Sequence, residues 1–405
     1  MFKELKVIKL IVFAGLLFVI LSKIDFSDNI IKELYTDKHS YYADDTIKVY
    51  SSTPFNFSFS RNISINDISG KKVSSTNIDL NNQNVDSNPL EDGLGFEKFI
   101  NYQFSNNIKS GIYLIEDKYP IIIKSKHIVE ITVVYPYANN NLYQAYNDLS
   151  VFSLNSKKSS LNRTAPIDVY SEGLIPFFNF LNSTYKVNFI TDLDLEDINN
   201  FKNSKVLILY GKSTCWTPKM KDSFNTYVAQ KGNVLLMSSY TLNNVCWYNK
   251  KDNQIIMYDD SSNAMKSWNN PPEKSIGVSY VNGGYSTDSS YQLVNSGHPI
   301  LKGVANEFIN IKANLYCSPP IKWYDDLPRI DIDSLGFYKG DIIAYGKATY
   351  LEDSKGIKGI FVLQPDSTSG KIVSLGTEDW CLKENIGENE NLQKITKNSI
   401  EYLLK

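Results

Sequence analysis

Between residues 205 and 247 the chain spells out a strand, a loop, a helix and a second strand, and this βαβ unit constrains the fold more than any other stretch. Val206-Leu-Ile-Leu-Tyr210 is an apolar run of strand length that ends at Gly211. Gly211-Lys-Ser-Thr-Cys-Trp216 follows as a polar loop. Thr217 is placed as N-cap with Pro218 at the first helical position, and Met220, Phe224, Tyr227 and Val228 recur at helical spacing up to a stop at Gly232. Val234-Leu-Leu-Met237 is the next strand. Parallel strands joined by helices bind ligands outside their carboxyl ends, so the loops at 211–216 and 238–247 are the expected site.

The rest of the chain divides around this unit. From Tyr35 to about Lys126 short strand signals recur at sandwich spacing, with a hairpin turn at 67–72 and no helical period between them, which predicts a small immunoglobulin-like β-sandwich over 35–126. From Val129 the texture changes to alternating strand and helix. Val129-Glu-Ile-Thr-Val-Val134 reads as a buried strand, and 139–148 as a loop rich in Asn and Tyr. Residues 173–181 read as a helix, 186–190 as a strand, and 392–404 as a closing helix. The pattern predicts an α/β domain over 127–405 with an open, mostly parallel sheet covered by helices on both faces. The stretch 254–291 is long, polar and without period, and two readings stay open for it, a lid over the site or disorder.

Composition bounds the function. Forty-two basic against forty-four acidic residues leave a formal charge of −2 with no long run of either sign, so the footprint of a nucleic-acid binder is missing. At the N-terminus Lys3, Lys6 and Lys9 precede twelve uninterrupted apolar residues, 10–21, and Lys23 follows. That run has signal-peptide length and falls short of the ~20 residues that span a bilayer, but snorkelling by Lys9 extends it. No small-x-small cleavage site follows, so 1–34 is read as an uncleaved signal anchor and linker. This gives a single-pass membrane protein with its body outside the cytoplasm, a secreted protein being the alternative. Cys215, Cys246, Cys317 and Cys381 lack metal-site spacing; a Cys215–Cys246 disulfide and ordinary buried thiols are both open.

Several of these residues carry a resemblance. Phe189-Ile-Thr-Asp-Leu-Asp-Leu195, the strand into Gly211-Lys-Ser-Thr-Cys-Trp-Thr-Pro218, the helix end at 227–232 and Asn244-Val-Cys-Trp247 resemble the catalytic region of the N,N-dimethylformamidase large subunit family. Gln144-Ala-Tyr-Asn-Asp148, Arg163 and Gly376-Thr-Glu-Asp-Trp380 fit the same pattern, in order, from about Tyr35 to the C-terminus. The resemblance implies a class I glutamine-amidotransferase-like domain behind an immunoglobulin-like one. It also implies an amidohydrolase site with a mononuclear iron held by a glutamate and two tyrosines, in a loop reading Gly-His-Asp-Glu-Tyr-Trp. Here Thr214 stands at the glutamate position and Lys212 at the histidine position, Asn244 matches the family's asparagine, and Tyr146 matches one metal tyrosine. A ferric ion favours anionic oxygen ligands, which a threonine hydroxyl does not supply, and a lysine ammonium repels it. The family's iron is therefore expected to be lost, and no cofactor is expected.

Other chemistries are weaker in the sequence. The histidines are His39, His127 and His298; the last, in Gly297-His-Pro, reads as a structural turn, and no Gly-x-Ser-x-Gly elbow is present. Cys215 as a nucleophile needs a lowered pKa and a nearby base. Glu378 and Asp379 offer paired carboxylates at a strand end, and Trp216, Trp247 and Trp380 are candidates for stacking on a sugar. Two functions follow: a binding or pseudo-enzyme module for a small molecule, saccharide or peptide, or a diverged amidohydrolase acting on C–N bonds. Either would use the cleft candidates Lys212, Thr214, Cys215 and Asn244.

Overall fold

The structure is a computed structural model that describes residues 31–105, 108–143, 156–258, 268, 271–286, 290–304, 308–349 and 356–405. Eight strands come first: β1 (Glu33–Thr36), β2 (Tyr41–Tyr42), β3 (Ile47–Ser52), β4 (Phe59–Asp67), β5 (Lys72–Leu80), β6 (Phe99–Tyr102), β7 (Gly111–Ile115) and β8 (Tyr119–Lys124). They form a three-stranded sheet, β1-β3-β6, and a five-stranded one, β2-β8-β7-β4-β5. The β4–β5 hairpin turns where Asp67 Oδ1 accepts from the amides of Ser69 and Lys71, both at 3.0 Å, with Gly70 at φ 83°. Successive side chains of a strand face opposite ways. In β7 and β8, Tyr113, Ile115, Ile121 and Ile123 enter the core between the two small sheets, while Ile112, Leu114 and Ile122 enter the main core of the following unit.

That unit is built on a nine-stranded sheet in the order β11-β9-β12-β14-β25-β24-β23-β18-β19. One half, β11 (Val187–Thr191), β9 (Ile131–Tyr135), β12 (Val206–Tyr210), β14 (Asn233–Met237) and β25 (Ile372–Ser374), is parallel. The other half, β24 (Gly356–Gln364), β23 (Lys339–Ala348), β18 (Ser290–Leu293) and β19 (Phe308–Asn310), is antiparallel. Helix Pro218–Ala229 crosses from β12 to β14, capped by the Thr217 hydroxyl on Met220 N at 3.2 Å, and buries Met220, Phe224, Tyr227 and Val228. Each such side chain contributes roughly 1.5–3 kcal/mol. The helix ends before the expected stop: Lys231 takes the left-handed turn at φ 72°. Gly232 is required for a different reason, since a Cβ there would lie 2.3 Å from the Tyr227 ring. A four-stranded sheet, β10 (Lys158–Ser160), β16 (Gln254–Met257), β15 (Asn244–Asn249) and β13 (Cys215–Trp216), lies beyond the carboxyl ends of the parallel strands. Helix Glu390–Leu404 closes the chain.

Two expectations are corrected. The fold is not an α/β one with an open, mostly parallel, glutamine-amidotransferase-like sheet: strand residues outnumber helical ones, and the sheets are large and mixed. The βαβ pattern around 205–237 holds locally, but after residue 290 the chain returns by hairpins instead of helical crossovers, so the second half of the sheet runs antiparallel. The single-pass anchor is likewise unsupported. No helix among the described residues is long and apolar enough to cross a membrane, and residues 1–30 of the 1–34 segment read as anchor and linker lie outside them. The expected loop at 139–148 is helix Tyr137–Tyr143 at its start, and 144–155 lies outside the described residues.

Candidate functional site

The loop after β12 is bent by Gly211, whose φ of 63° suits a residue without Cβ, and whose amide extends the ladder to Met237 O at 3.0 Å. Cys215 and Trp216 then pair in parallel with Asn244 and Val245 and draw the loop back over the sheet end. Asn139, fully buried in the helix that follows β9, holds the loop from the other side. Its Oδ1 accepts from Thr214 N, Thr214 Oγ1 and Cys215 N, each at 2.9 Å. Its Nδ2 donates to Asp192 Oδ2 at 2.9 Å. Asp192 also accepts from the amides of Ala138, Asn139 and Leu193 at 3.0, 3.1 and 3.0 Å. Burial pushes its carboxyl up to about 6 against the pull of those hydrogen bonds.

Beside the buried Thr214 the Tyr143 hydroxyl stands 2.6 Å from Oγ1, and the Lys212 ammonium lies 5.1 Å from the Tyr143 ring centre. The neighbouring strand ends add acids and aromatics. Glu378, buried after β25, accepts from Ser239 N at 2.9 Å and from the Ser239 hydroxyl. Burial raises the Glu378 carboxyl above its ordinary value, with Ser239 and the charge of Lys212 opposing. Burial raises Asp379 as well, against a hydrogen bond from Asn314 N and the same lysine. Tyr240 packs on Tyr280 with ring centres 4.6 Å apart, and Tyr280 meets Tyr285 edge-on at 5.5 Å. Ser238 Oγ and Thr241 Oγ1, both buried, find no hydrogen-bond partner among the described residues. The ends of β12, β14 and β25 thus share one polar face of ammonium, carboxyl and phenol groups.

Of the residues singled out from the sequence, Lys212 and Thr214 face this region. Asn244 is buried, with its Nδ2 4.0 Å from the Cys215 sulfur. Cys215 is 1% exposed and burial pushes its thiol up to about 12, so it is a packed neutral thiol and not an activated nucleophile. All four cysteines are free, which settles the open pairing against a Cys215–Cys246 disulfide. Tyr146 lies outside the described residues. Arg163 is buried and donates to the carbonyl of Asn141 and, at 3.0 Å, to Ser159 Oγ. Trp216 and Trp380 are core residues, and Trp247 is half-exposed on β15. His298 accepts from Ile300 N at 3.3 Å and packs on Tyr402, a structural role. Asn139 and Tyr143 carry no individual signal in the sequence beyond the Asn- and Tyr-rich composition of 139–148, and Asp192 is marked only as part of the Phe189–Leu195 stretch, with no role of its own.

No family model matches the chain, and no curated protein does. Solved structures similar to it include the "mmIFT52 N-terminal domain", 12% identical over 57% of this chain and 91% of that one, with a TM-score of 0.36. A β-galactosidase from Bacillus circulans sp. alkalophilus is 12% identical over 68% of this chain and 31% of that one, with a TM-score of 0.37. A ThuA-like protein from Parabacteroides merdae is 13% identical over 69% and 91%, with a TM-score of 0.32. Likenesses this distant carry no argument about function, and none of them speaks to the dimethylformamidase resemblance.

Proposed function

We propose that the chain is an N,N-dimethylformamidase-like protein that has lost the family's iron site and works as a binding or pseudo-enzyme module for a small, hydroxyl-rich ligand such as a saccharide. The supporting observation is the engagement of Thr214. Its hydroxyl is held between Asn139 Oδ1 at 2.9 Å and Tyr143 OH at 2.6 Å, with an ammonium beside the same tyrosine. A neutral hydroxyl already bonded on both sides, next to a cation, does not suit a hard trivalent metal, so Thr214, as the described residues hold it, does not fit iron. The face they form instead combines donors, acceptors, the half-buried phenol rings of Tyr143, Tyr240 and Tyr280 and the exposed ring of Tyr285, which suits sugar hydroxyls.

A diverged amidohydrolase is the second reading. The raised carboxyls of Glu378 and Asp379 beside Lys212 favour it, because acids shifted toward neutrality serve proton transfer. Iron content and dimethylamine release from N,N-dimethylformamide, measured on protein expressed with added iron, test the proposal. Little iron and no release are expected; one iron per chain with release overturns it.

A further inference from the structure

Two cavities open at the opposite, amino edge of the parallel strands, where nothing above assigns a function. One encloses about 600 Å³ between the sandwich and the sheet, and a second of about 330 Å³ shares residues 124–129 of its wall. The first has the volume of a small-molecule site and lies between two packed units, where such sites concentrate. Its apolar lining is Ile108, the buried Val129 and Val187, and Ile128, which has 73% of its surface exposed. An isoleucine so exposed on the short segment that joins the two units has surface available for a ligand.

The rim is cationic. Lys109, Lys124, Lys126 and Lys186 line the cavity against one acid, Asp44. Lys126 is paired with Asp44 at 2.6 Å, and Lys124 with Asp194 at 2.8 Å. Lys109 and Lys186 make no ion pair among the described residues. Ser110 Oγ accepts from Phe189 N at 2.8 Å, which holds the two lysine-bearing segments side by side. An apolar lining beside two uncompensated ammonium groups selects a ligand with an apolar body and an anionic head.

We propose that this groove binds an amphiphilic anion, an alkyl chain ending in a carboxylate or phosphate, with the head at Lys109 and Lys186 and the chain along Ile108, Ile128 and Val187. The test uses the full chain and 1-anilinonaphthalene-8-sulfonate displaced by monomeric dodecanoate, with dodecyltrimethylammonium as the same tail with opposite charge. Phosphatidylglycerol vesicles are offered in parallel. Dodecanoate should bind at least tenfold more tightly than the ammonium surfactant, and Lys109→Glu with Lys186→Glu should weaken it at least tenfold. Ile128→Asp, on an exposed side chain, should do the same without loss of circular dichroism. Displacement by monomer assigns a free amphiphile. Vesicle binding lost in the same variants, without displacement by monomer, assigns a lipid headgroup. Equal binding of both surfactants, or dodecanoate binding unchanged in the double lysine variant, overturns the proposal.

Discussion

Replacing Asn139 by alanine should unlock the loop that carries Lys212 and Thr214. The side chain is fully buried and serves two elements at once, with three donors on its Oδ1 and Asp192 on its Nδ2. Alanine leaves the amides of Thr214 and Cys215 without that acceptor and removes one donor from a buried carboxylate. Each orphaned buried group costs ~1–3 kcal/mol, so two amides and a weakened carboxylate sum to roughly 3–9 kcal/mol. That is a large part of the ~5–15 kcal/mol that stabilises a typical domain. With a urea m-value of about 3 kcal/mol/M, the midpoint should fall by roughly 1–3 M. The assay is urea unfolding followed by near-ultraviolet circular dichroism, to which Trp216, buried and donating to Ser213 O at 2.9 Å, contributes from within the loop. Asn139→Ser, which restores a short acceptor and donor, should recover part of the loss. A midpoint moved by less than about 0.3 M would refute the reasoning, because it would mean that the loop holds its shape without the bridge.

Three further outcomes follow from the geometry. Lys212→Met should raise both Glu378 and Asp379 further, since its charge opposes the effect of burial on each; carboxyl-carbon NMR titration of labelled protein reads this, and unmoved titrations would place Lys212 away from them. At the junction of the two units, Asp194 accepts from Lys124 at 2.8 Å, Ser40 at 3.0 Å and Thr191, and His39 Nδ1 lies 2.7 Å from Thr191 Oγ1. Burial lowers His39 below its ordinary 6.5, so stability should decline as pH falls below 6.5, where the unfolded chain binds the extra proton. Burial would raise Asp194, but His39, Lys124 and the hydrogen bonds outweigh it and hold the carboxyl below 3.8. Its contribution is therefore complete above that value and is lost as pH falls through the folded pKa. Thermal scans from pH 7 to pH 3 should show both declines, and Asp194→Asn should remove the lower one; an acid limb identical in that variant would count against it. Cys215, with the other three buried thiols, should stay unlabelled by a disulfide reagent in native buffer and react at once in urea. Rapid native labelling would contradict the burial.

How far the site was legible follows from range in sequence. The polar loop at 211–216 and its place after a strand were readable, because strand, loop and helix are contiguous and each carries its own local signal. Glu378 and Asp379 were visible as a pair of acids, but their partnership with Ser239 and Lys212 spans well over a hundred residues and leaves no local mark. Asn139 and Tyr143 were hidden for a related reason. They sit on a seven-residue helix in which three consecutive asparagines are buried beside Ala138 and Leu142, and composition reads such an Asn-rich stretch as loop.

The sequence by itself determined the local grammar: the β12 strand, the Thr217-capped helix, the β14 strand, the 67–72 hairpin and the helix closing the chain at Leu404. It also set the chemistry of the loop, with a lysine, a serine and a threonine directly after Gly211. Only the tertiary structure decided that β24, β23, β18 and β19 extend the sheet antiparallel, that Cys215 is a core thiol, and that Thr214 is bonded from both sides. Strand direction and burial depend on which distant segments pair, and a strand's apolar pattern is the same whichever way its neighbour runs.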